Sequence, residues 1–310
     1  MEHRVDCLAD GPRSGRSETI IKAALLSLAW VCTALVHPLA RADAVADWNR
    51  IALDTVVRSD QRLEHQLDTM AMVNVAMFEA LNFVRGRYRP RFVVGSPGIQ
   101  GLSVDTVAAA AAHHILVSSY PSQRAALDAA LSASLDRLPA DHAKASGLIE
   151  GASIAGGIWA VMSEGGASEL SRKRTAPFAK DGRNSGARAT RAYWPGNAAA
   201  VQPAGTGSLA NPLSWNSIVT ELIAVKALGA DQRARIHALA SMVAAEAYLT
   251  ASGNRDRCGP CIAAASVAYV LDSELGAEAA EGETFDADRE TGRAIARSAL
   301  HEYYRPVGEP

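Results

Sequence analysis

The chain has 310 residues, 48% of them hydrophobic and 21% charged, enough to bury a sizeable core as one large domain or two small ones. Its formal net charge of -2 gives no broad positive field, so nucleic acid and an anionic membrane surface are set aside as partners.

Arg13, Arg16 and Lys22 precede an apolar run at residues 23–36, and the small-residue sites Ala40-Arg41-Ala42 and Ala42-Asp43-Ala44 follow it. This is the pattern of a secretory signal peptide with a polar N-terminal extension. The run is shorter than the roughly 20 residues of a permanent membrane helix. The expected organisation is a signal segment over residues 1–44 and a single helical domain over 45–310, in the periplasm or secreted. A retained N-terminal anchor is the alternative. Cleavage removes Cys7 and Cys32 and leaves Cys258 and Cys261. That pair is joined in an oxidising compartment and reduced in the cytosol. No membrane span is expected in the mature chain.

Trp48, Ile51, Ala52, Thr55 and Val56 fall at i, i+3, i+4, i+7 and i+8, the stripe of an amphipathic helix. Residues 70–84 are apolar nearly all round, which predicts a central buried helix with its methionines as core filler. Gly86 and Pro90 end it. Residues 104–120 make an alanine-rich helix that stops before Pro121. Its adjacent His113 and His114 point about 100° apart, so they do not share a metal and are expected to be packed or hydrogen-bonded. Helices over 122–138 and 140–162 follow, joined through Pro139, with Ser122 and Asp141 as caps.

Residues 163–214 are rich in glycine, serine and proline and carry Arg172, Lys173, Arg174, Lys180, Arg183, Arg188 and Arg191. They read as a solvated loop, with a basic loop lining an anion site as the alternative. Helical pattern returns at 215–228, 231–250, 259–275 and 286–304. The fold class is all-α: a helical half at 45–162, the long irregular loop, and a second half at 215–310. Cys258-Gly259-Pro260-Cys261 is a tight turn that opens an apolar helix, where free N–H groups could face an anion.

Several words stand in order along the chain: Asp47-Trp48-Asn49 with Ile51-Ala52-Leu53-Asp54, then Ala71-Met72-Val73-Asn74-Val75-Ala76-Met77-Phe78-Glu79-Ala80-Leu81-Asn82. After them come Ala110-Ala111-Ala112-His113-His114-Ile115-Leu116 with Tyr120-Pro121, and Asp181-Gly182 ahead of Tyr193-Trp194-Pro195-Gly196. This set resembles the vanadium-dependent haloperoxidase and type 2 phosphatidic acid phosphatase superfamily, in its secreted bacterial haloperoxidase-like branch. The resemblance implies a helical bundle whose site binds phosphate or vanadate. In such a site a lysine and arginines stabilise the oxyanion, one histidine acts as acid and base, and a second is the nucleophile.

The three motifs depart from that pattern. The lysine followed by Arg-Pro is missing, because the chain passes from Tyr248-Leu249-Thr250 to Cys258. Cys258-Gly259-Pro260-Cys261 resembles the branch's cysteine-bearing second motif with Pro260 where its histidine belongs, and proline has neither an N–H nor an ionisable group. In the third motif Arg297 keeps the arginine position and Tyr303 stands at the nucleophile, with His301 two residues early, roughly 200° around a helix.

The catalytic set implied is Arg297, His301 and Arg305, with Cys258, Gly259, Pro260, Cys261 and Tyr303 at degenerate motif positions. No metal ion is implied, and vanadate is a cofactor only where the family site works. The expected function is an exported, catalytically degenerate relative with at most a weak pocket for a small phosphate-type anion. One alternative is an active phosphatase or vanadate-dependent haloperoxidase with a rearranged site. Another is a thiol-disulfide oxidoreductase, since Cys-Gly-Pro-Cys is also the thioredoxin redox motif, here without its βαβ setting.

Overall fold

Helix α1 (Ala44–Val57) begins where the Asp43 carboxylate accepts the Ala46 N–H at 3.3 Å. Trp48, Ala52, Thr55 and Val56 of the expected stripe are buried along it, and Ile51 is half-buried. The computed structural model describes residues 43–92, 99–163, 212–252, 257–276, 286–302 and 305–308. These belong to one compact unit, Asp43–Pro310.

Helix α2 (Leu63–Arg85) is the centre of the fold, with every residue from Met70 to Asn82 buried. Its first two turns, missed by periodicity, carry the polar Glu64, His65, Gln66 and Asp68. Gly86 ends it at φ 66°, a left-handed position that favours glycine. Helix α3 (Val104–Ser119) packs on α2 and, through a run of alanines, on α5 (His142–Ser163). Gly151 makes the second contact close, since a Cβ there would lie 2.4 Å from the Val107 carbonyl oxygen. Between them a 3-10 turn (Pro121–Gln123) leads into α4 (Arg124–Asp136). Ser122 therefore sits inside that turn and caps nothing, whereas Asp141 does cap α5, its Oδ1 accepting the Lys144 N–H at 2.9 Å.

On the other side of α2 lies α7 (Ala230–Ser252), which also carries α6 (Ser214–Ala224). Helix α8 (Gly259–Leu275) packs on α7, and α9 (Asp286–Glu302) on α8. The order of contact is thus α5, α3, α2, α7, α8, α9. Among the described residues there is no strand; the isolated bridge between Tyr88 and Pro306 is the β-type contact found. The all-α class holds. Most of the long loop, at 164–211, lies outside the described residues, and with it the seven basic side chains and the words at 181–196.

Helices α2 and α5 are long and apolar enough to cross a membrane. The apolar surface of α2 is covered by its neighbours, whereas α5 leaves Ile149 and Val161 exposed.

Candidate functional site

Cys258 is the N-cap of α8 and is disulfide-bonded to Cys261, the Cα atoms 5.2 Å apart. Its Sγ accepts the Cys261 N–H at 3.2 Å. Pro260 lies in the first turn, where a helix needs no internal donor. Gly259 lets the turn settle on α7: a Cβ there would come within 3.2 Å of the Tyr248 ring and 3.3 Å of the Ala251 Cβ.

The backbone N–H of Cys258 is donated to Oδ2 of Asp288, on α9, at 3.3 Å. Asp288 is buried. Beside it the Arg257 guanidinium donates to the Thr291 hydroxyl at 3.2 Å. The helix start that sequence reasoning opened to a bound anion is therefore faced by a carboxylate of the chain itself. Asp288 carries no local signal of this role, because its partner is 30 residues away.

The third-motif residues lie elsewhere. Contacts of Asp288 with Cys258 and of Gly292 with Ile262 and Ser266 advance together along both helices, so α9 runs alongside α8 in the same direction. Arg297 is then roughly 13 Å farther along α9 than Asp288. Its side chain is exposed and ion-paired with Glu290. His301 is exposed in the last turn of α9, and its carbonyl accepts from Arg305 Nε. The Arg305 carbonyl accepts the Arg89 N–H at 2.9 Å, and Val307 N–H donates to the Arg87 carbonyl at 2.8 Å. Tyr88, between them, lies under the Arg235 guanidinium, which is ion-paired with Glu274 near the end of α8. Cys258 and Arg305 thus stand toward opposite ends of α8, and the structure does not bring the two groups into one site. Tyr303 lies outside the described residues.

Titratable groups unassigned in the sequence occupy the core. Glu79 on α2 accepts the N–H groups of Arg91 and Phe92 through Oε1, at 2.9 and 3.3 Å, while its buried Oε2 has no hydrogen-bond partner. Burial pushes this carboxyl up to about 7 against the pull of those two N–H groups and of the Arg91 charge. His237 on α7 is fully buried with neither ring nitrogen bonded, and burial, aided by the Arg233 charge, pushes it down to about 3. Nearby, Asn74 Nδ2 donates to Ser241 Oγ at 2.7 Å, and that hydroxyl donates to the His237 carbonyl at 2.6 Å.

His113 is hydrogen-bonded to Asp128 at 2.7 Å, and His114 lies beside Gly156, as their separate directions on α3 require. Among the described residues no group of three or more His, Cys, Asp or Glu side chains could hold a metal ion. Comparison with protein-family models, with curated proteins and with solved structures gives no match for this chain.

Proposed function

We propose that this protein is an exported, catalytically degenerate relative of the haloperoxidase and acid-phosphatase-like superfamily, with at most a weak pocket for a phosphate-type anion. The observation that carries the degenerate reading is the Asp288 carboxylate on the Cys258 N–H. At the α8 start this carboxylate accepts the Cys258 N–H, the Cys258 Sγ accepts the Cys261 N–H, and Pro260 has none, which reduces the donors that could meet an oxyanion. Pro260 in place of the acid/base histidine and the pairing of Arg297 with Glu290 point the same way.

Export belongs to the same reading, and the Cys258–Cys261 disulfide suits an oxidising compartment. Of the two cleavage positions, the one after Ala42 is favoured. It keeps Asp43, which caps α1 and pairs with Arg233 at 3.2 Å, a cap worth about 1 kcal/mol.

The test is to assay the secreted protein for phosphate-monoester hydrolysis and for bromide oxidation with peroxide and added vanadate. The expected result is no turnover above that of the Arg297→Ala and His301→Ala variants. Turnover that either substitution abolishes would establish the rearranged enzyme instead. A thiol-disulfide oxidoreductase is favoured by one contact, the Cys261 N–H on Cys258 Sγ, which would also stabilise a thiolate. Against it, the motif's βαβ setting is missing: α7 precedes the turn, and there is no strand among the described residues. Catalysed reduction of insulin disulfides would decide for it.

A further inference from the structure

We infer that the Cys258–Cys261 disulfide is a redox-sensitive latch that holds the last helix, α9, on α8. Two polar ties run from α9 into the turn before α8: Asp288 Oδ2 accepts the Cys258 N–H at 3.3 Å, and Thr291 Oγ1 accepts from Arg257 at 3.2 Å. Both partners lie outside the helix, at its N-cap and one residue earlier. Helix ends fray, so ties made to residues 257 and 258 hold α9 only while those residues stay fixed to α8. The disulfide to Cys261, inside the first turn, is a covalent fixing of that kind.

The ties have a companion that does not depend on sulfur. Gly292 approaches α8 so closely that a Cβ would lie 2.7 Å from the Ile262 carbonyl oxygen and 3.0 Å from the Ser266 nitrogen. Release therefore concerns the first turns of α9 rather than unfolding of the domain. Cys258 and Cys261 are both half-buried, within reach of a small dithiol. The dithiol gives two electrons and two protons to the S–S bond, leaves two cysteine thiols, and becomes a disulfide itself. Cys258 can then leave its capping position and take Asp288 with it, or lose it. The latch holds independently of the family reading, since it needs no anion site and no catalysis.

The test is amide hydrogen exchange on the full chain, oxidised and after reduction with dithiothreitol, with the gain of two thiols at this pair checked by mass. Exchange in the first half of α9 should rise about tenfold on reduction and return on reoxidation, with α2 unchanged. Asp288→Ala should raise exchange there in the oxidised protein and shrink the effect of reduction. Equal acceleration in α2 and α9, or no change in α9 once reduction is complete, would overturn the latch. Should Asp288→Ala fail to fold, the comparison of the two states of the unmodified chain still decides.

Discussion

Gly292 of α9 faces the Ile262 carbonyl of α8 at a distance that admits no side chain. A Cβ on residue 292 would lie 2.7 Å from that oxygen and 2.8 Å from the Ala265 Cβ. Backbone and a methyl group cannot swing aside, so Gly292→Ala should lift α9 from α8 and destabilise the protein by about 1–3 kcal/mol. The measurement is the urea midpoint with the m-value held constant. Gly157, whose Cβ would meet nothing within 4 Å, is the control. There the same change should be neutral or stabilising by about 0.5–1 kcal/mol. An unchanged midpoint for Gly292→Ala would mean that the helices are not so closely packed.

A second close dependence is the clasp of Asn82 on Tyr88. The buried amide donates Nδ2 to the Tyr88 carbonyl at 2.8 Å, and its Oδ1 accepts the Tyr88 N–H at 2.9 Å. Asn82→Ala leaves both backbone groups without this partner at a buried place, a cost of about 2–4 kcal/mol. Asn82→Asp keeps the acceptor but sets a second carboxyl oxygen against the Tyr88 carbonyl in a buried place. Its loss should be smaller than that of Asn82→Ala only at acid pH, where the carboxyl is protonated and can donate. The 87–89 segment also carries the C-terminal tail, and the Val307 N–H, bonded to the Arg87 carbonyl, should exchange faster in both variants. Unchanged exchange at Val307 would separate the clasp from the tail.

What the sequence made legible was local. Pro260 and Gly276 mark the two ends of α8, which runs over the expected residues, and the unbroken apolar stretch from Met70 gives away the central helix. The start of α2 was hidden because Glu64, His65 and Asp68 break its pattern. Ser122 misled because Pro121 opens a 3-10 turn rather than a helix. At the candidate site the cysteine pair could be read, being three residues apart, while Asp288 could not, since an acid in the first turn of a helix is ordinary and only packing brings it to Cys258. The same holds for Asn74, whose partners Asn216 and Ser241 belong to the other half of the chain.

Glu79 should give stability a measurable pH slope. Burial raises its carboxyl from 4.5 to about 7, so in the folded protein it keeps its proton at pH values where the unfolded chain has lost it. Its contribution is fully present below 4.5 and is lost as pH rises through about 7. The loss amounts to about 3 kcal/mol. Glu79→Gln retains an oxygen for the Arg91 and Phe92 N–H groups and cannot ionise. Relative to the parent it should gain stability between pH 5 and pH 8, by up to about 3 kcal/mol in denaturant titrations at the two values. A constant difference would show that Glu79 is not held neutral in the fold.

His237 gives a slope of the opposite sign. Its ring is fully buried and makes no hydrogen bond, and burial lowers it from 6.5 to about 3. The folded protein therefore holds the ring neutral while the unfolded chain takes up a proton below 6.5. The contribution is fully present above that value and is lost as pH falls toward 3. Replacement by leucine removes two unpartnered polar atoms and leaves the Ser241 hydroxyl its bond, which goes to the backbone carbonyl of residue 237 and not to the ring. An apolar side chain is therefore tolerated here better than at Asn82, and the cost at neutral pH is one of shape alone. Between pH 7.5 and pH 4.5, His237→Leu should gain about 2–3 kcal/mol on the parent, and because Glu79 is common to both proteins its slope cancels from the difference. A gap independent of pH would mean that the ring takes up its proton as readily in the folded core as in the unfolded chain.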